Sequence, residues 1–399
     1  MREFRLLKHG DLAKLMNRIS ALLDSARAAT SLDDFGDDGF REGLERLVNS
    51  ADREARLSEA GRAMFDGQCI MLLMKRLEVE DWYVRHPEID EQQIVAPLVI
   101  LGLPRTGSTA LHCLLGADPA ARVLRMWESM HPCPPPEAAT QSTDPRIALT
   151  QRQMDMRDKV TPRMRQMLPS TATSPTEDQL TMAQDFKSQI FQASFRIPSY
   201  KDWLIHEADL EPTFVWSKRV LKLLQWRCPP NRWRIKCPTF SLFIDAYDKV
   251  FPDARYCMTH RDVADVLPSV ADVYFEMHKP NTDAPDKRWM GEVNFEFCEL
   301  GMERMIAFRD AGNEHRFIDI HFAAFQKNPF QVLERLYDFI GEDFTEIARQ
   351  RMETWRREQP RDKYGIHEYD AHEFGLDRTE IREHFRFYSD RFDVPLGMD

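Results

Sequence analysis

The sequence predicts an α/β protein of three layers, in which helices flank a central parallel sheet and a helical N-terminal region precedes it. Two observations lead to this fold class. Residues 1–93 place apolar and charged residues at helical spacing, as in LAKLMNRISALLDSA. From residue 94 onward, short β-rich runs alternate with helical stretches. Such alternation is typical of crossover connections between parallel strands.

The predicted elements follow in chain order. The helical N-terminal region is interrupted by the acidic segment SLDDFGDDG, which breaks the helical pattern. The α/β domain is expected over residues 94–345, and a C-terminal helical segment over residues 346–399. The predicted strands are LVILG, ARVLRMW, RWRIKCP, ARYCMTH and RFIDIHF. Because these runs are largely apolar, we expect the central strands to be buried on both faces.

One segment of the α/β domain is rich in proline. Residues 132–146, PCPPPEAATQSTDPR, contain five prolines and predict an extended surface loop. A long loop beside a parallel sheet forms a lid or wall of a substrate site in some proteins and is a plain connector in others. The sequence leaves both interpretations open.

Composition and charge limit the partners. The net charge of -11 repels nucleic acid and anionic membranes unless basic residues concentrate locally, so no nucleic-acid partner is expected. The charged N-terminal stretch lacks the apolar core of a secretory signal, and no apolar run is long enough to span a membrane. We therefore expect a cytoplasmic protein. Seven cysteines without a C-x-x-C pair predict reduced thiols rather than a zinc site. A homodimer is one expectation for its assembly.

The segment GLPRTGST at residues 102–109 follows a predicted strand and begins a helix. Its G-x-x-x-x-G spacing is that of a phosphate-binding loop, but Ser108 stands where a nucleotidase has lysine. Backbone N–H groups at a helix N-terminus bind anions, and Arg105 supplies a cation inside the loop. The later strand ends carry basic residues where a magnesium site would need an acid. The loop therefore predicts an anion site without a metal ion.

This loop, together with a second segment, resembles the sulfotransferases that use 3′-phosphoadenosine-5′-phosphosulfate (PAPS). In that family a P-[KR]-[ST]-G-[ST]-T core binds the 5′-phosphosulfate, and an arginine followed eight residues later by a serine binds the 3′-phosphate. The first motif matches PRTGST, and the second matches Arg261 and Ser269 in CMTHRDVADVLPSVADV. The resemblance covers roughly residues 95–395 and is strongest to a bacterial branch with a helical N-terminal extension.

The resemblance implies a P-loop-like fold, PAPS as co-substrate, and transfer of a sulfuryl group to a hydroxyl or amine of a small acceptor. Aromatic and Met-rich stretches such as VYFEMH favour a hydrophobic acceptor, although such stretches are more often core. The residues implied in cofactor binding are Arg105, Thr106, Gly107, Ser108, Thr109, Arg261, Ser269 and Lys363. Lys363 belongs to the C-terminal segment, which is expected to close over the cofactor.

Two basic residues are predicted to act on the reacting groups. Lys236 ends the run RWRIK, and the resemblance makes it a candidate stabiliser of the sulfuryl group and the leaving phosphate. Arg105 is expected to share this role from within the loop. For Lys236 and Lys363 the alternative is an ordinary solvent-exposed lysine.

The proton acceptor is harder to assign. Relatives commonly carry a histidine four residues after the strand-end lysine, whereas this chain has Phe240, which cannot accept a proton. Glu128 lies nineteen residues after Thr109, at the end of the second predicted strand. Carbohydrate-type sulfotransferases carry a catalytic glutamate at about this place, so Glu128 is the predicted base.

Two further acids are alternatives for the base. Glu177 and Asp178 lie in SPTEDQL, where Thr176 and Gln179 have the spacing of a helix capping box. Because acids are also favoured in a first helical turn, both carboxylates have a structural explanation as well.

Other functions remain open on sequence grounds. Phe322 and Ala324 stand where relatives tend to have a tyrosine and an acid, which weakens the expected hydrogen bonding near the cofactor. An ATP-dependent kinase or nucleotidase with a degenerate loop is one alternative. A sulfotransferase-like binding protein without catalytic activity is the other.

Overall fold

The computed structural model describes residues 9–230, 232–360 and 368–397. Within them, five parallel strands form one sheet in the order β2-β3-β1-β4-β5. The strands are β1 Leu98–Gly102, β2 Ala121–Arg122, β3 Arg232–Lys236, β4 Arg255–His260 and β5 Phe317–His321. Helices cover both faces of this sheet. The predicted α/β architecture with its helical N-terminal region is confirmed.

The described residues contain nineteen α-helices. The N-terminal region supplies α1 His9–Thr30, α2 Phe40–Glu54 and α3 Glu59–Arg85. Before β3 lie α4 Ser108–Leu115, α5 Met126–Met130, α6 Pro145–Val160, α7 Arg163–Met167, α8 Gln179–Met182, α9 Ile190–Ser194, α10 Pro198–His206 and α11 Glu211–Gln225. After β3 follow α12 Ile244–Val250, α13 Val263–His278, α14 Lys287–Phe308, α15 Phe322–Lys327, α16 Pro329–Ile340, α17 Glu346–Glu358, α18 Arg378–His384 and α19 Arg386–Arg391. None of these helices is long and apolar enough to cross a bilayer.

The central strand β1 separates two hydrophobic cores. Its residues are buried on both faces, and alternate side chains point to opposite sides of a strand. Val99 and Leu101 belong to the larger core, whereas Leu98 and Ile100 belong to the smaller one beneath α4, α16 and α17. This arrangement explains why the run LVILG is apolar throughout rather than alternating.

The N-terminal helices belong to the larger core. Leu22, Leu44 and Leu73 lie in the same hydrophobic cluster as Val99 of the sheet. Helix α3 begins at a serine cap, in which Ser58 accepts a hydrogen bond from the N–H of Gly61 at 3.0 Å. The N-terminal helices and the sheet therefore share one core, and the predicted boundaries of the three regions, 1–93, 94–345 and 346–399, stay predictions.

The second predicted strand is shorter than expected. β2 ends at Arg122, and the rest of the run ARVLRMW enters helix α5. The Glu128 carboxylate accepts the N–H of Arg125 at 3.1 Å and caps the first turn of α5. Glu128 therefore lies in a helix, and its predicted position at a strand end is wrong.

The proline-rich segment is irregular as predicted, but only up to its last proline. Pro145 occupies the first turn of α6, where the missing N–H of proline costs nothing. Asp144 caps this helix by accepting the N–H of Arg146 at 2.9 Å.

Candidate active site

The loop between β1 and α4 has the backbone of an anion-binding site. Gly102 and Gly107 adopt φ values of 112° and 88°, in the left-handed region that favours glycine. A Cβ at Gly102 would also meet the Thr259 carbonyl oxygen at 2.6 Å. Arg105 has φ 65°, which is uncommon for a residue with a side chain. The strained loop ends at Ser108, where α4 begins with its free N–H groups.

Two threonines attach this loop to the neighbouring strand. The hydroxyl of Thr106 donates to the carbonyl of Leu103 at 2.7 Å and lies 2.6 Å from the hydroxyl of Thr259 on β4. Thr259 is paired with Gly102 in the sheet register. Because the Thr106 hydroxyl is already bonded within the protein, Thr106 would contact an anion through its backbone N–H. No motif in the sequence points to Thr259.

The loop brings together three residues of the two motifs, Arg105, Arg261 and Ser269. Arg105 and Ser269 are 164 residues apart in the chain. The Nε of Arg105 donates to Ser269 Oγ at 3.1 Å, and Arg261 donates to the carbonyl oxygen of Arg105 at 3.1 Å. Burial, and then the positive charge of Arg261, lower the pKa of Arg105. A bound anion would relieve this repulsion, so the pair is suited to hold one.

Phe322 supports the same group of residues. Its ring lies 4.7 Å from the guanidinium carbon of Arg261, a distance at which cation–π attraction is effective. The position that a Cβ on Gly107 would occupy is only 3.0 Å from the Phe322 ring. The phenylalanine therefore replaces the hydroxyl of relatives with a flat platform beneath the loop and Arg261.

Lys236 ends β3 beside the loop, because its register partner Ile100 lies in the adjacent β1. Its Nζ donates to Glu177 at 2.5 Å and to the hydroxyl of Thr109 at 3.4 Å. The Lys236 side chain is 5% exposed, whereas that of Glu177 is 33% exposed. This lysine is thus a buried cation directed at the loop rather than an exposed strand end, and Glu177 is its partly open partner.

Asp178, next to Glu177, points into the protein. It accepts a hydrogen bond from the Thr181 hydroxyl, and burial raises its pKa to about 7. The capping box expected from Thr176 and Gln179 is absent, because helix α8 begins after Asp178 and has no side-chain cap. Glu177 is therefore not needed to cap this helix.

Glu128 is fully buried in an ion pair. Arg122 donates to its two oxygens at 2.7 and 3.0 Å, and the Gln141 side chain donates at 2.9 Å. The backbone N–H of Arg125 completes the set at 3.1 Å. These partners bond both oxygens and come from β2, the N-cap of α5 and the proline-rich segment.

Phe240 also lies in the interior. Its ring packs at 5.2 Å from Phe214 and 4.6 Å from Tyr247, with no exposed surface. A residue at this position in this chain is part of the larger core. Phe240 therefore fills a packed interior position where relatives commonly carry a histidine.

His260 and His112 are held by neighbouring groups. His260 lies 2.7 Å from Asp319 and 3.1 Å from the hydroxyl of Tyr388, which places it beneath Arg261. The ring of His112 lies 2.9 Å from the carbonyl of Arg234 in β3, and burial lowers its pKa to about 3. Both histidines therefore act in the architecture around the loop.

The C-terminal segment reaches the helix that carries Ser269. Tyr369 donates to the carbonyl of Asp265 at 3.0 Å, and Arg378 forms an ion pair with the Asp265 carboxylate at 2.7 Å. Lys363 lies outside the described residues. Its predicted contact with the cofactor, and closure of the segment over the site, stay predictions.

Comparison with known proteins agrees with this geometry. Residues 97–346 match the model of the Sulfotransferase family. The sulfotransferase STF9 from Mycobacterium avium is 31% identical, with a TM-score of 0.87 over 94% of this chain and 97% of its own. The sulfotransferase STF1 from Mycobacterium tuberculosis H37Rv is 27% identical, with a TM-score of 0.82 over 92% of this chain and 98% of its own. No curated protein matches this chain.

The chain therefore belongs to the sulfotransferase family. The family match covers the loop, the Arg261 and Ser269 motif and Lys236. The solved relatives also extend over the N-terminal helices, so the helical extension is shared with them.

Proposed function

We propose that this protein transfers a sulfuryl group from PAPS to a hydroxyl or amine of a small hydrophobic acceptor, without a metal ion. The observation that carries this proposal is the direct joining of Arg105 to Ser269 and of Arg261 to the Arg105 carbonyl. Two motifs distant in the chain thereby form one cationic surface, and PAPS carries anionic groups at both its 5′ and its 3′ positions.

The residues at the loop fit such a ligand. The N–H groups of Gly107, Ser108 and Thr109, at the start of α4, would hold the 5′-phosphate with Arg105. Arg261 and Ser269 would hold the 3′-phosphate. Charge-assisted hydrogen bonds of this kind contribute about 1.5–3 kcal/mol each.

Lys236 would stabilise the charge that develops in the reaction. When bound, PAPS supplies the sulfuryl group, which passes to the acceptor as the bond from sulfur to the bridging oxygen breaks and leaves its electron pair on adenosine 3′,5′-bisphosphate. Lys236 points from β3 toward Thr109 with little exposed surface, so its charge acts in a medium of low polarity. Arg105 would assist from the opposite side of the loop.

Glu177 is the better-placed candidate to accept the acceptor proton. Both acids accept hydrogen bonds from protein groups, Glu177 from Lys236 and Gln179, but Glu177 is partly open to solvent whereas Glu128 is fully buried. Glu128 as the base stays a prediction, but its geometry favours a structural role. Glu177, the alternative that the sequence offered, combines access with proximity to the loop.

Calorimetry tests the cofactor assignment. We expect adenosine 3′,5′-bisphosphate to bind without metal more tightly than ATP with magnesium. Arg261→Ala should weaken bisphosphate binding by about 10-fold to 150-fold, because one charged group loses its contacts with the 3′-phosphate. The binding should be unchanged by EDTA.

A matched variant controls for general loss of charge. Arg227→Ala removes an exposed arginine that pairs with Glu137, and it should leave bisphosphate affinity unchanged. Tighter binding of ATP with magnesium, or equal affinity of Arg261→Ala and the wild type, would contradict the PAPS assignment.

A further inference from the structure

An acidic residue lies beside the two side chains that would hold the 3′-phosphate. Asp265 is in the first turn of α13, four residues after Arg261 and four residues before Ser269. Residues four positions apart lie on the same face of a helix. The start of α13 therefore carries a carboxylate within the proposed anion site.

Asp265 shares the Arg261 guanidinium with the loop. One guanidinium nitrogen of Arg261 lies 3.3 Å from Asp265 Oδ2, and the other donates to the Arg105 carbonyl oxygen at 3.1 Å. The side chains of Arg261 and Asp265 are 23% and 19% exposed, so neither is enclosed in the interior. A phosphate that binds Arg261 must therefore displace the Asp265 carboxylate or share the guanidinium with it.

The other oxygen of Asp265 contacts an arginine of the C-terminal segment. Arg378, the first residue of α18, lies 2.7 Å from Asp265 Oδ1 and also donates to the Ala264 carbonyl oxygen at 3.0 Å. This ion pair with Asp265 is shorter than the one that Arg261 forms. Arg378 is therefore the partner that can keep the carboxylate when Arg261 turns toward a phosphate.

A separate set of contacts fastens the C-terminal segment to the same end of α13. Asp262 caps this helix by accepting the N–H of Ala264 at 3.0 Å. It also accepts hydrogen bonds from Arg382 at 3.0 Å and from the N–H of Gly397 at 2.8 Å. Because these contacts do not involve Asp265, we expect the segment to stay attached when the charge of Asp265 or Arg378 is removed.

The charge of Asp265 opposes that of a bound 3′-phosphate. Like charges a few ångströms apart repel each other, and more strongly where little water separates them. The 3′-phosphate is present in PAPS and remains in adenosine 3′,5′-bisphosphate after transfer, so each contact with it also holds the product. A carboxylate in this site lowers the affinity for the 3′-phosphate and thereby speeds release of the product.

We propose that Asp265 competes with the 3′-phosphate for Arg261 and so sets the rate at which adenosine 3′,5′-bisphosphate leaves, while Arg378 limits this competition by neutralising the carboxylate. This inference rests on the proposed sulfotransferase function and adds a residue that tunes cofactor affinity. The two members of one ion pair then have opposite effects. Removal of the acid strengthens bisphosphate binding, and removal of its arginine weakens it, whereas a purely structural ion pair would give the same sign for both.

Asp265→Asn tests the competition, because the amide keeps the size of the side chain and removes its charge. We expect calorimetry to show about 3-fold to 10-fold tighter binding of adenosine 3′,5′-bisphosphate, since one repelling charge is lost at a partly exposed site. The dissociation rate, measured by chasing labelled bisphosphate with unlabelled bisphosphate, should fall by a similar factor. If Asp265→Asn folds poorly, Asp265→Ser tests the same expectation.

Arg378→Gln tests the neutralising role. We expect about 3-fold to 10-fold weaker bisphosphate binding, because the Asp265 carboxylate then acts on the 3′-phosphate with its full charge. In the Asp265→Asn background the same substitution should cost much less, since no carboxylate is left to neutralise. This double-mutant cycle separates the interaction of the pair from any general effect of altering α18.

Two controls isolate the 3′-phosphate. Adenosine 5′-monophosphate lacks that group, so its affinity should be unchanged by Asp265→Asn. Asp81→Asn removes an acid that pairs with Arg85 at the same four-residue spacing on α3, and it should leave bisphosphate binding unchanged. The melting temperature of each variant reports any loss of folding separately.

The outcomes separate this inference from the proposed function. If the wild type does not bind bisphosphate, the proposed function fails and the inference fails with it. If the wild type binds and Asp265→Asn binds equally or more weakly, the inference alone is overturned. Equal tightening of adenosine 5′-monophosphate binding would also overturn it, because the effect would then not act on the 3′-phosphate. Opposite shifts in the two variants, confined to the bisphosphate, support it.

Discussion

Glu128 and Glu177 were both candidates for the same chemical role, and the fold gives them different surroundings. Glu128 is fully buried between Arg122, Gln141 and the backbone of Arg125. Glu177 is one-third exposed and contacts Lys236 next to the loop. Protein groups bond both oxygens of each carboxylate, but Glu128 has no exposed surface whereas Glu177 is partly open to solvent.

The difference shows that access decides which acid can act as a base. A carboxylate that accepts a bidentate pair from a buried arginine is fixed by that ion pair, and removing it leaves an uncompensated charge. A carboxylate beside a lysine and a solvent opening can exchange its partner when an acceptor binds. The three predictions below test this contrast, beginning with the largest expected effect.

Glu177→Gln should reduce kcat for any acceptor that is turned over by about 100-fold to 10,000-fold, the usual contribution of general-base catalysis. Steady-state kinetics with labelled PAPS measures this loss. Affinity for adenosine 3′,5′-bisphosphate should change less than twofold, because Lys236 and the loop remain in place. Full turnover by this variant would exclude Glu177 as the base.

Glu128→Gln should act on stability. We expect a loss of about 3–5 kcal/mol in the free energy of unfolding, because Arg122 would keep its charge in the interior without its partner. Urea denaturation measures it, and Arg122→Met in the same chain should recover part of the loss. If Glu128→Gln instead keeps its stability and its bisphosphate affinity but loses turnover, Glu128 is the base after all.

Asp178→Asn should give the smallest effect, and one that depends on pH. The pKa of Asp178 is raised from 3.8 to about 7 in the folded protein, so folding favours its protonated form. The stability due to that proton is present below about pH 4 and is lost as the pH rises through 7. The asparagine variant should therefore equal the wild type near pH 4 and exceed its free energy of unfolding at pH 8 by up to about 4 kcal/mol.

Urea midpoints measured at intervals from pH 4 to pH 8 check this prediction. Asp38→Asn, an exposed acid paired with Arg41 on the N-terminal side, is the control and should show no such divergence. If the urea midpoints of Asp178→Asn and the wild type coincide at every pH, Asp178 is charged in the folded protein. The proposed difference between the buried Asp178 and the partly exposed Glu177 would then be wrong.

The sheet and the phosphate side of the site were predictable because their determinants are local. Short apolar runs specify buried parallel strands, and glycines at fixed spacing after a strand specify the loop. Strand ends of one parallel sheet share an edge, so Lys236 and Arg261 had to lie near Arg105. The resemblance of the motifs to those of the sulfotransferases named these residues.

The acceptor side was less predictable because it depends on contacts between distant segments. The run ARVLRMW has strand propensity, yet the capping contact of Glu128 turns its second half into a helix. Phe240 packs against Phe214 and Tyr247 in the fold, and no sequence pattern around Lys236 predicts these contacts. Arg163 of α7 forms an ion pair with Asp272 of α13, although 109 residues separate them in the chain.

The sequence by itself determined the α/β architecture, the sulfotransferase family and the position of the loop between β1 and α4, since each of these is encoded by neighbouring residues in a fixed pattern. Only the tertiary structure decided which glutamate is open and which is locked in an ion pair. Burial and partner choice are properties of the packed chain: Arg122 removes Glu128 from the site, and Lys236 holds Glu177 beside it.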